Sequence, residues 1–174
     1  MRSTNWYVIT GAPCSGKTAV ICELERMGYR VVHEVARAYI DDEMNKGKSL
    51  NQIKADVLAF ERHIFYEKIE IEASLPEKAT VFLDRAIPDS IAYFKIEGLD
   101  PAGPVEKSRA ARYQKIFFFE RLTFEKDAVR SEDDIMAARL DHLLKESYQM
   151  LGYEIIQVPL LPVEKRVDFI LEHL

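Results

Sequence analysis

The sequence predicts an α/β protein in three layers, a five-stranded parallel sheet with helices on both faces. Three observations carry this. Strand-length apolar runs alternate with helical patterns from one end of the chain to the other. Most of those runs are apolar throughout, as in strands buried on both faces, rather than alternating apolar with polar. A loop bounded by Gly11 and Gly16 joins the first run to the first helical pattern, so strand feeds helix across one edge of the sheet.

Taken in order, Trp6-Tyr7-Val8-Ile9-Thr10 is the first strand. A helix follows from about Gly16 to Met27, with Ala19, Val20, Cys22 (or Ile21) and Leu24 among its apolar positions, and Gly28 stops it. The β-branched pair Val31-Val32 marks a second strand ending on Glu34, and Val35 to about Asn45 is helical again. Ser49 or Asn51 caps one long helix reaching Ala73 or Ser74, with Ile53, Val57, Phe60, Ile64 and Ile71 on one broad face. Thr80-Val81-Phe82-Leu83 is the third strand and runs into Asp84-Arg85. Pro88 starts a helix from Asp89 to about Glu97. After a loop from Leu99 to Pro104 comes a short helical stretch to about Tyr113, then a strand from Lys115 to Phe119. Residues 120–130 have no clean period and read as a mobile loop. Ser131 to Asp134 resembles a capping box opening a helix to Leu151. Glu154 to Val158 is the fifth strand, Pro159 and Pro162 form a turn, and Val163 to Leu174 is an amphipathic helix.

At 174 residues the chain suits one domain, residues 1–174, with a sizeable core. Its net charge of −5 argues against a general binder of nucleic acid or anionic membranes. No apolar run reaches the length of a membrane span and no signal-peptide pattern opens the chain, so a cytoplasmic protein is expected. Cys14 and Cys22 read as a loop residue and a core residue, not as a disulfide or metal site. The exposed helix faces are equally compatible with a monomer and a homodimer.

Gly11-Ala12-Pro13-Cys14-Ser15-Gly16-Lys17-Thr18 fits G-x-x-x-x-G-K-[ST] at every fixed position, between a strand and a helix as the motif requires. Its two glycines let successive N–H groups turn inward onto phosphate oxygens, and the positive end of the following helix adds to that field. Lys17 would reach the β- and γ-phosphates and the Thr18 hydroxyl would bind Mg²⁺. The three layers are then those of a P-loop NTPase. Such a fold binds ligands beyond the carboxyl ends of its strands, where Glu34, Asp84-Arg85 and Glu120-Arg121 also fall. Asp84 occupies the place of the second acid that holds Mg²⁺. Guanine recognition by Asn-Lys-x-Asp has only the near match Asn45-Lys46-Gly47-Lys48, which lacks the acid, so ATP is the expected nucleotide.

The stretch Asp84-Arg85-Ala86-Ile87-Pro88-Asp89-Ser90-Ile91-Ala92-Tyr93 resembles thymidylate and deoxynucleoside kinases, which carry an acid-Arg pair at this strand end. The resemblance implies that Arg85 binds phosphate near the transferred group and that Glu34 takes the proton of the attacking hydroxyl. Glu34 with Arg37 also resembles the Glu-x-x-Arg element of predicted P-loop AAA ATPases that include the ribosylnicotinamide kinase domain. Asp127-Ala128-Val129-Arg130 resembles the lid segment of that family, about residues 120–131, with alanine in place of a glycine. By the resemblance, Arg130 lies over the phosphates and Arg121 stacks on the base. Purely structural readings stand beside these: a helix-start acid for Glu34, an ion pair of Arg85 with Asp84 or Glu34, a solvated charge run for Arg121 and Arg130. Tyr39, Phe60 and Tyr66 are candidates for an acceptor pocket or for helix packing. The implied activity is transfer of the γ-phosphoryl of Mg-ATP to a small nucleoside- or nucleotide-like acceptor. A nucleotide-dependent switch acting on a protein partner, with water as acceptor, is the alternative, and a degenerate ATP-holding module a third reading.

Overall fold

The computed structural model describes residues 2–121 and 132–174. In chain order the elements begin with β1 (Arg2–Ser3), β2 (Trp6–Thr10), α1 (Lys17–Arg26), β3 (Arg30–Val32), α2 (Val35–Asn45), α3 (Leu50–Ile53) and α4 (Val57–Ser74). They continue with β4 (Val81–Asp84), α5 (Asp89–Ile96), α6 (Ala102–Lys107), β5 (Ala111–Arg112), β6 (Lys115–Phe119), α7 (Glu132–Gln149), β7 (Ile155–Val158) and α8 (Val163–Glu172).

The five apolar runs form one parallel sheet in the order β3-β4-β2-β6-β7. Period-two geometry divides each strand between two cores. Tyr7, Ile9, Phe82, Phe117 and Phe119 face Val20, Ile21 and Leu24 of α1 and Val167 and Ile170 of α8. Trp6, Val8, Val81, Leu83 and Ile116 face the opposite layer with Leu75, Tyr113 and Tyr148. Phe118 packs there too, against Ala92 of α5 and Leu140 and Leu144 of α7. Burying both faces is what an uninterrupted apolar strand requires, and the chain connects the strands through helices on either side. The central strand β2 is flanked by β4 and β6, so its carboxyl end opens at the place where the strand order reverses.

Register sets the site. Ile9 pairs with Asp84, Thr10 with Phe118, and Val32 with Leu83. Two residues past Val32 and two past Leu83 are Glu34 and Arg85, which therefore emerge side by side.

Three expectations are corrected. The long helix is two: Ser49 closes a capping box with Gln52 around α3, and Asp56 then accepts the Ala59 N–H at 2.9 Å to start α4. The chain breaks between two caps, so Val57 comes out exposed rather than on the apolar face. In α1 the buried position is Ile21, and Cys22 is exposed, because the stripe that meets the sheet runs through Val20, Ile21 and Leu24. The helical stretch before Tyr113 ends at Lys107, and Ala111–Arg112 pairs in parallel with Arg2–Ser3. Strands of two residues are too short to show a period. The expected cap at Ser131 lies outside the described residues.

A buried acid ties α4 to the turn after β4 and to the segment before β6: Glu72 accepts the Ile87 N–H at 3.0 Å and the Tyr113 hydroxyl at 2.8 Å. Burial pushes its carboxyl up to about 7, against the pull of the Tyr113 hydrogen bond. A group raised on folding stabilises fully below its unfolded value near 4.5 and loses that contribution as pH rises through about 7. Stability should therefore fall between about pH 5 and 8, and less steeply in Glu72→Gln, by about 1 kcal/mol or more across that window. Urea melts at several pH values check this, and equal slopes would contradict it. The phase of α1 is tested the same way: Ile21→Ala should cost about 2–5 kcal/mol and Cys22→Ser under about 0.5 kcal/mol.

Candidate functional site

The loop after β2 cannot be built from ordinary residues. Gly11 has φ +135°, and a Cβ there would lie 2.2 Å from the Phe119 carbonyl oxygen, so only glycine lets the loop leave β2 against the end of β6. Gly16 caps α1 at φ +85°. Cys14 also takes a left-handed conformation, at φ +63°. Lys17 folds back over the loop it follows. Its Nζ donates to the carbonyls of Gly11 at 2.8 Å and Ala12 at 2.9 Å and to Ser15 Oγ at 3.1 Å. Only 5% of Lys17 is exposed, and burial, with Arg85 nearby, lowers its ammonium to about 8 against the pull of Asp84. Thr18 is exposed on the first turn of α1.

Beside the loop, Arg85 is buried at the end of β4 with φ +68°, a conformation a side chain adopts at a cost. Its surroundings hold it there. The backbone N–H donates to Ile9 O at 3.0 Å, Nε to Glu34 Oε1 at 3.0 Å, and Nη1 to Gly11 O at 3.0 Å, with Asp89 Oδ1 3.6 Å from Nη1. The ion pair of the structural reading is thus present, and it sits at the phosphate loop. Burial works to raise the Glu34 carboxyl, but the charge and hydrogen bond of Arg85 outweigh it and hold it below the usual range. Asp84 is buried, and its Oδ1 has no hydrogen-bond partner among the described residues. Burial lifts its carboxyl to about 6, opposed by Arg85 and Lys17.

Lys17, Glu34, Asp84 and Arg85 are thereby brought to one edge, as expected. Arg121 is half-buried just past β6, close enough to Asp141 to act on its charge. Arg130 and the Asp127–Arg130 segment lie outside the described residues. Arg37 is exposed and pairs with Asp41 at 3.2 Å.

Four residues that the sequence did not single out complete the surroundings. Asp89 joins three elements: it accepts Thr10 Oγ1 at 2.5 Å, the Ala86 N–H at 2.9 Å and the Tyr148 hydroxyl. Asp141 of α7 accepts the Ala12 N–H at 2.7 Å, and burial raises its carboxyl. Arg166 of α8 donates to Ser15 O at 2.9 Å and Leu161 O at 2.6 Å, joining the loop to the turn after β7. Lys68 of α4 is buried, with Ser90 Oγ 3.4 Å away. Each is a charged residue on a helix, where charge alone reads as a solvated face. The one advance signal was Asp89 in the run that opens with Asp84-Arg85.

A cavity of about 280 Å³ opens from this cluster between α2, α4 and α5. Pro13, Glu34 and Arg85 form its loop end, and Ile40, Phe60, Ile64 and Tyr93 contribute apolar walls. Its size is near the lower end for small-ligand sites, about 300 Å³. Phe60 lines it, whereas Tyr39 and Tyr66 lie on a separate groove.

Comparison with known proteins agrees with the fold. A family described as AAA domain matches residues 6–166. No curated protein sequence matches the chain. The solved structure of NadR protein in complex with NR is similar with a TM-score of 0.70 at 17% identity, over 97% of this chain and 51% of that one. The chain thus spans about half the length of NadR. Thymidylate kinase from Ehrlichia chaffeensis gives 0.67 at 14%, covering 99% and 98% of the two chains. Deoxyadenosine kinase from M. mycoides gives 0.64 at 15%, covering 97% of each. With its phosphate loop, parallel sheet and family match over most of its length, the chain belongs to the AAA domain family and has the fold of the P-loop kinases.

Proposed function

We propose that this protein is an ATP-dependent kinase that moves the γ-phosphoryl group to a nucleoside- or nucleotide-like acceptor. The observation that carries the reading is the cavity at the phosphate loop, with Glu34 at the junction of the two. A switch that hydrolyses ATP needs no room for a second small molecule there. The kinases of similar fold support the reading.

ATP would lie with its phosphates in the loop from Gly11 to Thr18, Lys17 turning from its own loop carbonyls to the β- and γ-phosphates. Glu34 keeps Oε1 on Arg85 and turns Oε2 to the acceptor hydroxyl. As that oxygen forms its bond to the γ-phosphorus, its proton passes to Glu34 and the bond from phosphorus to the β-bridging oxygen breaks, releasing ADP. For a phosphate acceptor, already ionised, Glu34 would orient rather than deprotonate. Arg85 and Lys17 would neutralise the charge that spreads over the transferring group, with Arg121 at the base. Mg²⁺ fits the acid present: the unbonded Asp84 Oδ1 and the exposed Thr18 hydroxyl would hold it. When bound, the ion would supply positive charge that offsets the negative charge of the phosphates. Two exposed thiols, Cys14 in the loop itself, suit the reducing cytoplasm.

The test is ADP release across a panel of nucleosides and nucleoside monophosphates. It should rise strongly with one member, and Glu34→Gln should lower that rate by ~10²-fold while ATP still binds. A flat panel with steady basal hydrolysis would leave the switch reading. Lys17 gives a second expectation. Because burial lowers its ammonium to about 8, ATP binding should weaken as pH rises above that value. Near pH 8 binding should also take up a proton, as bound phosphates restore the charge. Calorimetry in buffers of different ionisation enthalpy reads that uptake, and its absence would remove Lys17 from the phosphates.

A further inference from the structure

One buried cation beside the phosphate loop has no part in the steps above. Arg166 of α8 is 6% exposed, and among the described residues no carboxylate lies within 4.0 Å of it. Arg85, by contrast, has Glu34 and Asp89. The neighbours of Arg166 are neutral. Nε donates to Leu161 O at 2.6 Å, Nη1 donates to Ser15 O at 2.9 Å, and the Phe119 ring centre is 5.6 Å from Cζ. Carbonyls and an aromatic face lower the cost of a buried guanidinium but do not cancel its charge. Anchoring α8 does not call for that charge, since Val167 and Ile170 already pack with Val20, Ile21 and Leu24 of α1.

Ser15 O belongs to the peptide unit whose N–H is that of Gly16. In a trans peptide the two point in opposite directions, so a carbonyl held toward α8 sets the N–H away from α8. That N–H has no acceptor among the described residues. Gly16, at φ +85°, stands immediately before α1, where the helix presents its positive end. Glycine is free about φ, so this peptide could flip at little cost. A charge-assisted bond to its carbonyl removes the alternative. Ser15 is held by a second cation as well, its hydroxyl accepting from Lys17 Nζ at 3.1 Å.

We infer that Arg166 is a positioning residue for the nucleotide: it fixes the Ser15–Gly16 peptide with its N–H presented to a phosphate oxygen, and polarises that peptide so that the N–H donates more strongly. The inference rests on the proposed seating of phosphates in the loop and adds the residue that presets the loop for them. A cation on the carbonyl draws electron density from the amide, so the bond behind the peptide and the bond in front of it strengthen each other. The phosphates also bring the negative charge that Arg166 lacks.

The experiment measures binding of ATP and of inorganic tripolyphosphate, which has phosphates but neither base nor sugar, both with Mg²⁺, by calorimetry. Arg166→Met, which fills the space without charge, should weaken both by about tenfold and by the same factor, since the loss falls on the phosphates they share. Arg166→Lys, which keeps the cation, should stay within about threefold of the native protein, and Arg166→Gln should fall about threefold or more below Arg166→Lys. The direct readout is the Gly16 amide proton at saturating tripolyphosphate. Its downfield shift on binding reports the N–H···O bond, and it should be smaller in Arg166→Met than in the native protein. An arginine that only anchors α8 would leave the saturated shift unchanged. Native-like binding of tripolyphosphate by Arg166→Met, or an equal saturated shift, overturns the role of Arg166 and leaves the kinase reading intact. A native protein that binds neither ligand overturns both. A thermal melt checks the fold of each variant. Where Arg166→Met fails to fold, the comparison of Arg166→Lys with Arg166→Gln decides, and equal binding by those two overturns the inference.

Discussion

The site depends on one buried guanidinium. Arg85 joins the second strand of the sheet to the third and both to the phosphate loop, through Glu34 Oε1, Gly11 O and the backbone bond to Ile9. Nothing in an apolar strand end would hold a left-handed arginine there; the three bonds and the neighbouring Asp89 do. Removing any partner would leave a buried charge short of compensation, which is why loop, base and wall behave as one unit. The same guanidinium holds Glu34 ionised despite its partial burial, so a carboxylate able to accept a proton and the group that orients it are positioned by one contact.

Burial drives the other ionisable groups of the edge toward neutrality. Lys17 falls to about 8 and Asp84 rises to about 6, each because it has left water and each partly restrained by charges of the cluster. A carboxylate oxygen without a hydrogen bond and a lysine satisfied by its own loop carbonyls are both waiting groups: each gains more from a highly charged ligand than an exposed side chain would.

The legible part of this architecture was the part written in local pattern. Apolar runs, most of them uninterrupted, disclosed all five strands of the sheet, and the spacing from Gly11 to Thr18 disclosed the loop, since tight turns and phosphate approach admit few residue types. Asp84-Arg85 was legible because it sits where a strand must end. The break between α3 and α4 was hidden because Asp56, a good cap, also passes as a polar residue on a helix. Asp141, Arg166 and Lys68 were hidden for a different reason. Each is a charge on a helix, and only the packing of that helix decides whether it meets water, the loop or the cavity.

Asp141 has a consequence beyond its own hydrogen bond. It places a carboxylate on the inward N–H of Ala12, at the mouth of the loop proposed to seat phosphates. Phosphates seated there as proposed would compete with the Asp141 carboxylate for that N–H and so weaken this contact of α7 with the loop. By thermodynamic reciprocity, whatever loosens α7 tightens the seat by the same factor. On the proposed reading, the Asp141 contact of α7 would act as a counterweight to the nucleotide in the loop.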